Sequence, residues 1–242
     1  MEVKSAQFKK AASRELADNK LQAALGHAKG RFVVARAKAI KELDNFEDIR
    51  QAAADVRDHC LANLDQYLEQ WERNAKAAGT IVHWVESAEE MNRVVLEIAR
   101  DHGVRKVIKS KSMLGEETGL NEYLEHGGID VRETDLGEYI IQQAQEHPSH
   151  IIAPATHKSK DDIAKLFAEK HHRPRLDDIT QLTHEAREIL RPHFLDADMG
   201  ITGANFLVAE TGSTMIVTLP LFPVITADIA DEKIAGFAGI RK

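Results

Sequence analysis

Cysteine is almost absent from this sequence of 242 residues. Because Cys60 is the only cysteine, the chain cannot form an intramolecular disulfide. Nor can it by itself supply the about four thiolates that hold an iron–sulfur cluster. Cys60 lies in the helical pattern AAADVRDHCLANLDQYLEQ, which favours an inert helix residue over a reactive thiol.

Long apolar runs are missing as well. No stretch approaches the roughly 18 apolar residues that span a bilayer, and the N-terminus, MEVKSAQFKKAASRELADNK, lacks the apolar centre of a signal peptide. We therefore expect a cytoplasmic protein without a transmembrane segment. The net charge of −7 argues against nucleic-acid binding as the main function.

The first third of the chain has the composition of helices. Proline is absent before Pro148, and Ala, Leu, Glu, Lys, Arg and Gln dominate residues 5–78. We expect a break at Gly26 and Gly30. Apolar residues then recur at three- and four-residue spacing on one long helix that ends at Gly79: Phe46, Ile49, Ala53, Val56, Cys60, Leu64, Tyr67, Leu68 and Trp71. This stripe must pack on the later domain or on a partner chain. The second alternative includes a homo-oligomer. We predict a helical N-terminal extension at 1–78 and an α/β domain at 79–242.

From Thr80 onward, strand patterns alternate with helix patterns. We predict strands at residues 80–86, 104–112, 129–135 and 150–155, and helices at 87–100, 113–128, 136–146, 160–171 and 183–194. This alternation predicts an α/β fold with a mostly parallel sheet flanked by helices. The segment 200–218 is too short for a crossover helix, so we expect it to add an antiparallel hairpin or a long strand to the sheet. Residues 219–226 could form one more strand.

One stretch combines strand-forming residues with polar ones. Asp198–Thr218 reads DMGITGANFLVAETGSTMIVT, with polar groups set among residues that should be buried. Buried polar groups are costly unless they find partners. The stretch is therefore either a self-satisfied strand–turn–strand core or the floor of a polar site, and we favour the site.

Other candidate residues follow predicted strands, where ligands bind in open α/β sheets. Lys109, Lys111 and Ser112 in the sequence KSKS are predicted to form an anion site, with a solvated basic loop as the alternative. Glu133, Thr134 and Asp135 end the third predicted strand, where they either bind sugar hydroxyls or Asp135 caps the next helix; we favour the cap. His157 is either an acid–base group or a surface-loop histidine. No metal site is predicted, because the remaining loop histidines lack a carboxylate or cysteine at useful spacing.

Glu210 is the main candidate for chemistry. A carboxylate between an apolar strand and a Thr-Gly turn is either a base or nucleophile, or the structural partner of Lys109 or Lys111. We predict that Glu210 is catalytic and shares one pocket with Lys109, Lys111, Ser112, Thr202 and Asn205. The full set of predicted ligand-binding residues is Lys109, Lys111, Ser112, His157, Thr202, Asn205, Thr211 and Gly212.

Several long segments resemble a known family. ANFLVAETGSTMIVT is similar to the signature of the lactate-utilization (LUD) domain family, and KSKSMLGEETGLNEYLEHGGIDVRETDLGEYIIQ and HIIAPATHKSKDDIAKLF match it in the same order. The resemblance covers Gln7–Thr218 and points to the B-type, iron–sulfur branch. It implies a fold similar to glucosamine-phosphate deaminases, ribose-phosphate isomerases and CoA transferases, and a role in oxidising L-lactate to pyruvate. Glu210-Thr211-Gly212 loosely resembles the Glu-Asn-Gly setting of the nucleophile in some CoA transferases.

The resemblance also implies partners. In the family, a cysteine-rich C-terminal half carries a ferredoxin-like pair of four-iron clusters, whereas this sequence continues with LPLFPVITADIADEKIAGFAGIRK. We therefore expect no cofactor within this chain, and electron transport through clusters on a missing C-terminal part or on iron–sulfur lactate-utilization partners. The expected ligand is a small anion or nucleotide-like molecule. The alternatives are a non-catalytic assembly module that docks redox partners, and a stand-alone enzyme similar to a CoA transferase or an isomerase.

Overall fold

The computed structural model describes residues 5–149, 153–217 and 234–237. It shows an α/β protein with N-terminal helices, as predicted. The chain divides into two compact units: a helical unit of residues 9–83 and 207–215, and an α/β unit that contains residues 84–206 and continues from residue 216. None of the helices in the described ranges combines the length and apolar character needed to cross a membrane.

Four α-helices build most of the helical unit. A 3₁₀ turn at Ser5–Gln7 precedes α1 (Phe8–Ala17), α2 (Asn19–Lys41), α3 (Phe46–Ala62) and α4 (Leu64–Ala77). The predicted break at Gly26 and Gly30 is wrong, because both glycines lie inside α2 among residues that sustain a helix. The chain breaks instead at Asp18, whose carboxylate accepts hydrogen bonds from the Lys20 and Leu21 amides. The predicted apolar stripe is divided between α3 and α4 at Asn63.

A hairpin from far along the chain completes this unit. Strands β4 (Phe206–Val208) and β5 (Ser213–Met215) form a two-stranded sheet. The Asn74 side chain donates to the carbonyls of Ala209, at 2.8 Å, and Glu210, at 3.0 Å, and Trp71 Nε1 donates to the Ser213 carbonyl at 3.0 Å. Helix α4 therefore holds the hairpin turn through side chains 135 to 142 positions away in sequence.

The α/β unit contains a parallel sheet with helical crossovers. Its elements are α5 (Ala88–Asp101), β1 (Lys106–Lys109), α6 (Met113–Glu117), α7 (Leu120–His126), β2 (Asp130–Glu133), α8 (Leu136–Ala144), α9 (Lys160–His171), α10 (Ile179–Asp196), β3 (Met199–Gly203) and β6 (Ile234–Phe237). The strand order is β2-β1-β3-β6, and each neighbouring pair is parallel. The parallel sheet predicted from the alternating pattern is therefore confirmed.

Helix starts in this unit are fixed by capping side chains. Ser87 caps α5, and Asp135 caps α8 by accepting from the amides of Gly137 and Glu138. Ser159 caps α9 within a complete capping box. The predicted helix at 113–128 is divided into α6 and α7 by Gly119, which adopts a φ of +65°.

Three strand predictions need correction. Residues 80–85 form no strand among the described residues, because β-forming side chains make a strand only where a neighbour supplies the ladder. Residues 153–155 lie in a turn, while 150–152 and the predicted strand at 219–226 lie outside the described ranges. In the segment 200–218, β3 joins the main sheet in parallel after the crossover through α10, and β4 and β5 form their separate sheet.

Two apolar clusters support the α/β unit. One packs α5 and α7 against β1, β2 and β3 and contains Leu96, Leu120, Leu124, Val131 and Ile201. The other joins α8, α9 and α10 through Tyr139, Phe167, Ala186 and Leu190. Together they fix the strands whose carboxyl ends carry the polar residues described next.

Candidate functional site

A buried ion pair joins the carboxyl ends of β1 and β2. Lys109 and Glu133 are register partners in the parallel ladder, and Lys109 Nζ lies 2.6 Å from Glu133 Oε1. Both side chains are buried, with Lys109 at 0% exposure. The Asn121 amide also donates to Glu133 Oε1 at 2.6 Å, and Glu116 lies 3.6 Å from Lys109 Nζ. The ammonium group is thus neutralised within the protein, as a buried charge requires.

Burial dominates the electrostatics of Glu133. Desolvation raises the pKa of its carboxyl group, against the lowering effect of Lys109 and the Asn121 hydrogen bond. The second carboxyl oxygen, Oε2, and the Asn121 carbonyl oxygen are buried without hydrogen-bond partners among the described protein atoms. Glu133 Oε2 and the Asn121 side-chain oxygen can therefore each accept a further hydrogen bond close to the Lys109 ammonium group.

Lys111, two residues beyond β1, keeps contact with solvent. Its side chain is 30% exposed, and Nζ lies 3.1 Å from Oε1 of the buried Glu138 on α8. Desolvation raises the pKa of Glu138, and Lys111 opposes that shift. Lys111 is thus the partly exposed cation of the KSKS segment, and it faces a carboxylate that burial makes easier to protonate.

The end of β3 lies against the same segment. Ser110 donates a hydrogen bond from Oγ to Thr202 Oγ1 at 2.7 Å, and its amide donates to the Ile201 carbonyl at 2.9 Å. A Cβ added to Gly203 would lie 3.2 Å from the Lys111 carbonyl oxygen and 3.3 Å from Ser112 Cα. The backbone of β3 and the 110–112 loop therefore approach closely, which glycine permits.

The structure brings four predicted ligand-binding residues to one edge of the sheet. These are Lys109, Lys111, Ser112 and Thr202. Lys109 is buried in its ion pair, and Ser112 is buried and caps α6 by accepting from the Gly115 amide at 3.1 Å. Both residues thus have structural partners at this edge. A ligand role for the four stays a prediction.

The other predicted members from the 198–218 stretch lie on the segment that follows β3. Asn205 is exposed, and its side-chain oxygen accepts from the Val217 amide at 2.8 Å. Glu210 and Thr211 are exposed on the hairpin turn of the helical unit, and Gly212 follows them there. The single pocket and the catalytic role of Glu210 stay predictions. Lys109 has Glu133 and Glu116 as carboxylate partners, and Lys111 has Glu138.

His157 belongs to a separate polar cluster. Its Nδ1 lies 2.7 Å from Ser149 Oγ, and its Nε2 lies 2.8 Å from a carboxylate oxygen of Glu146, which also receives a short hydrogen bond from Lys158. Burial raises the pKa of Glu146, but the hydrogen bonds from Lys158 and His157 outweigh it and lower the pKa overall. Both ring nitrogens of His157 are thus engaged locally. Its predicted ligand role stays a prediction.

Several polar residues at the edge of the sheet are additional to the predicted set. They are Glu116, Asn121 and Glu138, whereas Ser110 belongs to the KSKS segment and Glu133 to the predicted strand at 129–135. Pairing that strand in register with the preceding parallel strand would have placed Glu133 opposite Lys109. Glu116, Asn121 and Glu138 lie on helices, where the sequence does not show which neighbour each polar side chain meets.

A buried hydrogen-bond chain also escaped the sequence analysis. Tyr139 OH lies 2.9 Å from His171 Nε2, and His171 Nδ1 lies 3.0 Å from Glu185 Oε1. Desolvation raises the pKa of Tyr139 to about 12. The ring of His171 packs against that of Phe167 with centroids 4.5 Å apart and planes tilted by 35°. The hydrogen-bond chain therefore lies within the core between α8, α9 and α10.

The residues of this chain do not fit an iron–sulfur cluster. Cys60, exposed on α3, is the one cysteine of the sequence, whereas a cluster needs about four thiolates. Within the described ranges, no group of three or more His, Cys, Asp or Glu side chains is arranged to hold a metal ion.

Fold and site together define an α/β protein with a charged cluster at the carboxyl edge of a parallel sheet. The family model described as the LUD domain matches residues 68–220. The chain belongs to the LUD domain family, and the resemblance noted in its sequence is confirmed.

Relatives with assigned names are similar along most of the chain. The protein named Lactate utilization protein B of Bacillus velezensis is 42% identical over 219 residues, which cover 90% of this chain and 46% of that protein. The protein of the same name in Macrococcus caseolyticus is 43% identical over 219 residues, with the same coverage. In Oceanobacillus iheyensis the identity is 40% over 211 residues, covering 87% of this chain and 44% of the relative. The chain thus spans about half the length of the curated relatives it matches. No solved structure matches it.

Proposed function

We propose that this chain takes part in lactate utilization by supporting the oxidation of L-lactate to pyruvate together with iron–sulfur partner proteins. The role in lactate use is supported by relatives that are about 40% identical and carry that name. The ligand would be a small carboxylate or a nucleotide-like anion. Because Cys60 alone cannot ligate a cluster, electrons from the substrate would pass to clusters on other polypeptide segments.

One observation carries the ligand-binding part of this proposal: Lys111 is 30% exposed at the carboxyl edge of the sheet, where Ser110 and Thr202 also bring their hydroxyl groups together. A partly exposed cation at a strand end that also carries hydroxyl groups suits a carboxylate or phosphate oxygen. Lys109 has a different role, because it is fully buried and neutralised by Glu133. It would shape and charge the floor of the site without contacting the ligand.

Ligand binding would exchange one anion for another on Lys111. An incoming carboxylate competes with Glu138 for the ammonium group, which lies 3.1 Å from Glu138 in the structure. Burial already raises the pKa of Glu138, so this side chain can take up a proton as it loses its cation. Without ligand, the Glu138 carboxylate thus occupies the anion position at Lys111. When Glu138 takes up a proton, the ligand replaces it there.

Thermal unfolding of the full chain with added ligands tests the proposal. L-lactate, pyruvate, inorganic phosphate, a nucleotide and an acyl-CoA would each be titrated against wild type, Lys111→Met and Lys106→Met. A ligand at 100 times its dissociation constant stabilises a fold by about 2.7 kcal/mol, which is readily measured as a higher Tm. Lys106 is the matched control, because it begins the same strand at the opposite end and pairs with Asp196 at 3.4 Å.

The expected result is a Tm increase that Lys111→Met abolishes and Lys106→Met retains. An equal increase in both variants would place the ligand elsewhere. If none of these anions changes the Tm of the wild type, the ligand half of the proposal is wrong.

The exposed apolar side chains of α1–α3 favour a second candidate, a module that docks redox partners without chemistry of its own. They include Phe8, Leu16, Phe32, Val33, Val34, Ile49 and Val56. Reconstitution with iron–sulfur lactate-utilization proteins separates the two functions. Loss of L-lactate oxidation in Lys111→Met or Glu210→Gln, with partner binding intact, supports a chemical role. Unchanged turnover in both variants supports docking alone.

A further inference from the structure

Helix α2 is strongly basic in a chain that is acidic overall. Its 23 residues include six Lys or Arg and no Asp or Glu, whereas the whole chain has a net charge of −7. Among the α2 residues whose burial is described, none is buried. A helix in a protein gains most of its stability by packing an apolar face. The exposed surface of α2 is therefore expected to pack against another helix or protein segment.

The sequence of α2 carries a regular apolar seam. Positions 21, 25, 28, 32, 35 and 39 are all Leu, Phe or Ala, at alternating spacings of four and three residues. This is the a/d repeat with which one helix packs against another in a coiled coil. Leu25 and Phe32 on this seam are 38% and 49% exposed. Gly26 and Gly30 fall outside the seam, where an added Cβ would meet nothing within 4 Å.

Basic residues flank the seam. Lys29 and Arg36 occupy the positions just after d, and Lys38 occupies the position just before a; all three are exposed. In a coiled coil these flanking positions face the corresponding positions of the partner helix. Against a second copy of α2, Lys and Arg would face Lys and Arg in either orientation, and this repulsion disfavours self-association.

We propose that α2 is the docking helix for an acidic helix of a different protein. That helix would place apolar residues opposite Leu25 and Phe32 and Glu or Asp opposite Lys29, Arg36 and Lys38. The apolar seam would supply most of the affinity, and the charged flanks would select the partner. This inference is independent of the anion site at the edge of the sheet.

Designed peptides test the proposal on the full chain. The acidic probe is a peptide of about three heptads with Leu at a and d and Glu at the flanking positions. A basic probe replaces these Glu residues by Lys, and a third probe scrambles the acidic sequence. Fluorescence anisotropy is expected to show that the acidic probe binds about tenfold or more tightly than either control, with an affinity that falls as salt rises.

Paired variants locate the binding face. Lys29→Glu/Arg36→Glu is expected to weaken binding of the acidic probe about tenfold, since two attractive pairs become repulsive. Lys20→Glu/Lys41→Glu makes the same charge change away from the flanks and is expected to leave binding unchanged. If the first variant loses helical circular dichroism, Arg36→Gln/Lys38→Gln replaces it and is expected to show a smaller loss.

Four results would overturn the proposal. The scrambled or basic probe could bind as well as the acidic one. The two charge-reversed variants could also lose affinity equally. Either result would mean that the probe binds through unspecific electrostatic attraction. The acidic probe could fail to bind. Alternatively, sedimentation could show a dimer that Phe32→Glu converts to a monomer, which would make a second copy the occupant.

Discussion

Lys109 and Glu133 face each other across two adjacent parallel strands, with Nζ 2.6 Å from Oε1 and both side chains buried. Taking two charges out of water costs several kcal/mol per ion before their attraction compensates. The pair is therefore sensitive to the loss of one member. It also lies beneath the segment that carries Lys111.

Lys109→Met is expected to destabilise the protein by about 3–5 kcal/mol at pH 7, because Glu133 is left buried without its cation. Removal of Lys109 also removes an influence that lowers the Glu133 pKa, so that pKa rises further. A raised pKa in the folded state means that stability is lost as pH rises through it and regained as pH falls. Denaturant unfolding of wild type and variant between pH 5 and 8, as rough bounds, would show the difference shrinking toward acid.

The double variant Lys109→Met/Glu133→Leu is the control for this pair. With both charges replaced by apolar side chains, most of the lost stability should return. If the double variant is no more stable than Lys109→Met, the loss comes from packing and not from an unpaired carboxylate.

Anion binding at Lys111 is expected to be accompanied by proton uptake. Desolvation raises the pKa of Glu138 and Lys111 lowers it, so a ligand that engages Lys111 lets this pKa rise further. The affinity should then increase as pH falls toward the Glu138 pKa, by up to about tenfold per pH unit. Isothermal titration in buffers of different ionisation enthalpy would report the protons taken up.

Glu138→Gln provides the comparison for this pH dependence. The amide carries no charge, so the anion no longer has to displace a carboxylate from Lys111. Binding should be tighter at neutral pH and nearly independent of pH. A pH dependence that persists in the variant would assign the proton to another group.

Gly212→Ala is expected to weaken the helical unit strongly. Gly212 has a φ of +73°, and an added Cβ would lie 2.2 Å from Ala75 N and 2.6 Å from Ala75 Cα. Gly128→Ala is the matched control, because its φ is +86° but no atom lies within 4 Å of the added Cβ. Gly128→Ala should lower the free energy of unfolding only by the backbone strain, about 1–2 kcal/mol. Thermal unfolding should therefore show a clearly larger loss for Gly212→Ala, and equal losses would mean that the backbone contact is unimportant.

Tyr139→Phe is expected to destabilise the protein by about 1–2 kcal/mol, because it removes a hydroxyl partner from a buried histidine. With a pKa of about 12, the Tyr139 hydroxyl keeps its proton at neutral pH and can donate to His171 Nε2. Tyr123→Phe, on an exposed tyrosine, should change the free energy of unfolding by less than about 0.5 kcal/mol. Chemical denaturation of both variants checks the difference, and equal values would show that the hydroxyl contributes nothing.

Local signals in the sequence predicted the helices of the α/β unit well. Ser87 and Asp135 each cap the helix that their position suggested, because capping depends on only a few neighbouring residues. The strand predicted at 80–86 failed for the opposite reason. Its side chains favour extended backbone, but a strand also needs a neighbour, which a single segment cannot reveal.

The polar edge was predicted in outline and not in its pairings. The KSKS segment suggested a cationic site, yet nothing in it shows that Lys109 is buried and Lys111 partly exposed. That difference comes from Glu133 and Glu138, which lie 24 and 27 positions away. The Tyr139–His171–Glu185 chain likewise joins three helices whose packing the sequence does not specify.

The hairpin of residues 207–215 has a consequence for synthesis of the protein. Helix α4 leaves the ribosome more than a hundred residues before the hairpin whose turn it holds through Trp71 and Asn74. Trp71 and Asn74 therefore wait for these hydrogen-bond partners until the chain has been synthesised past residue 213.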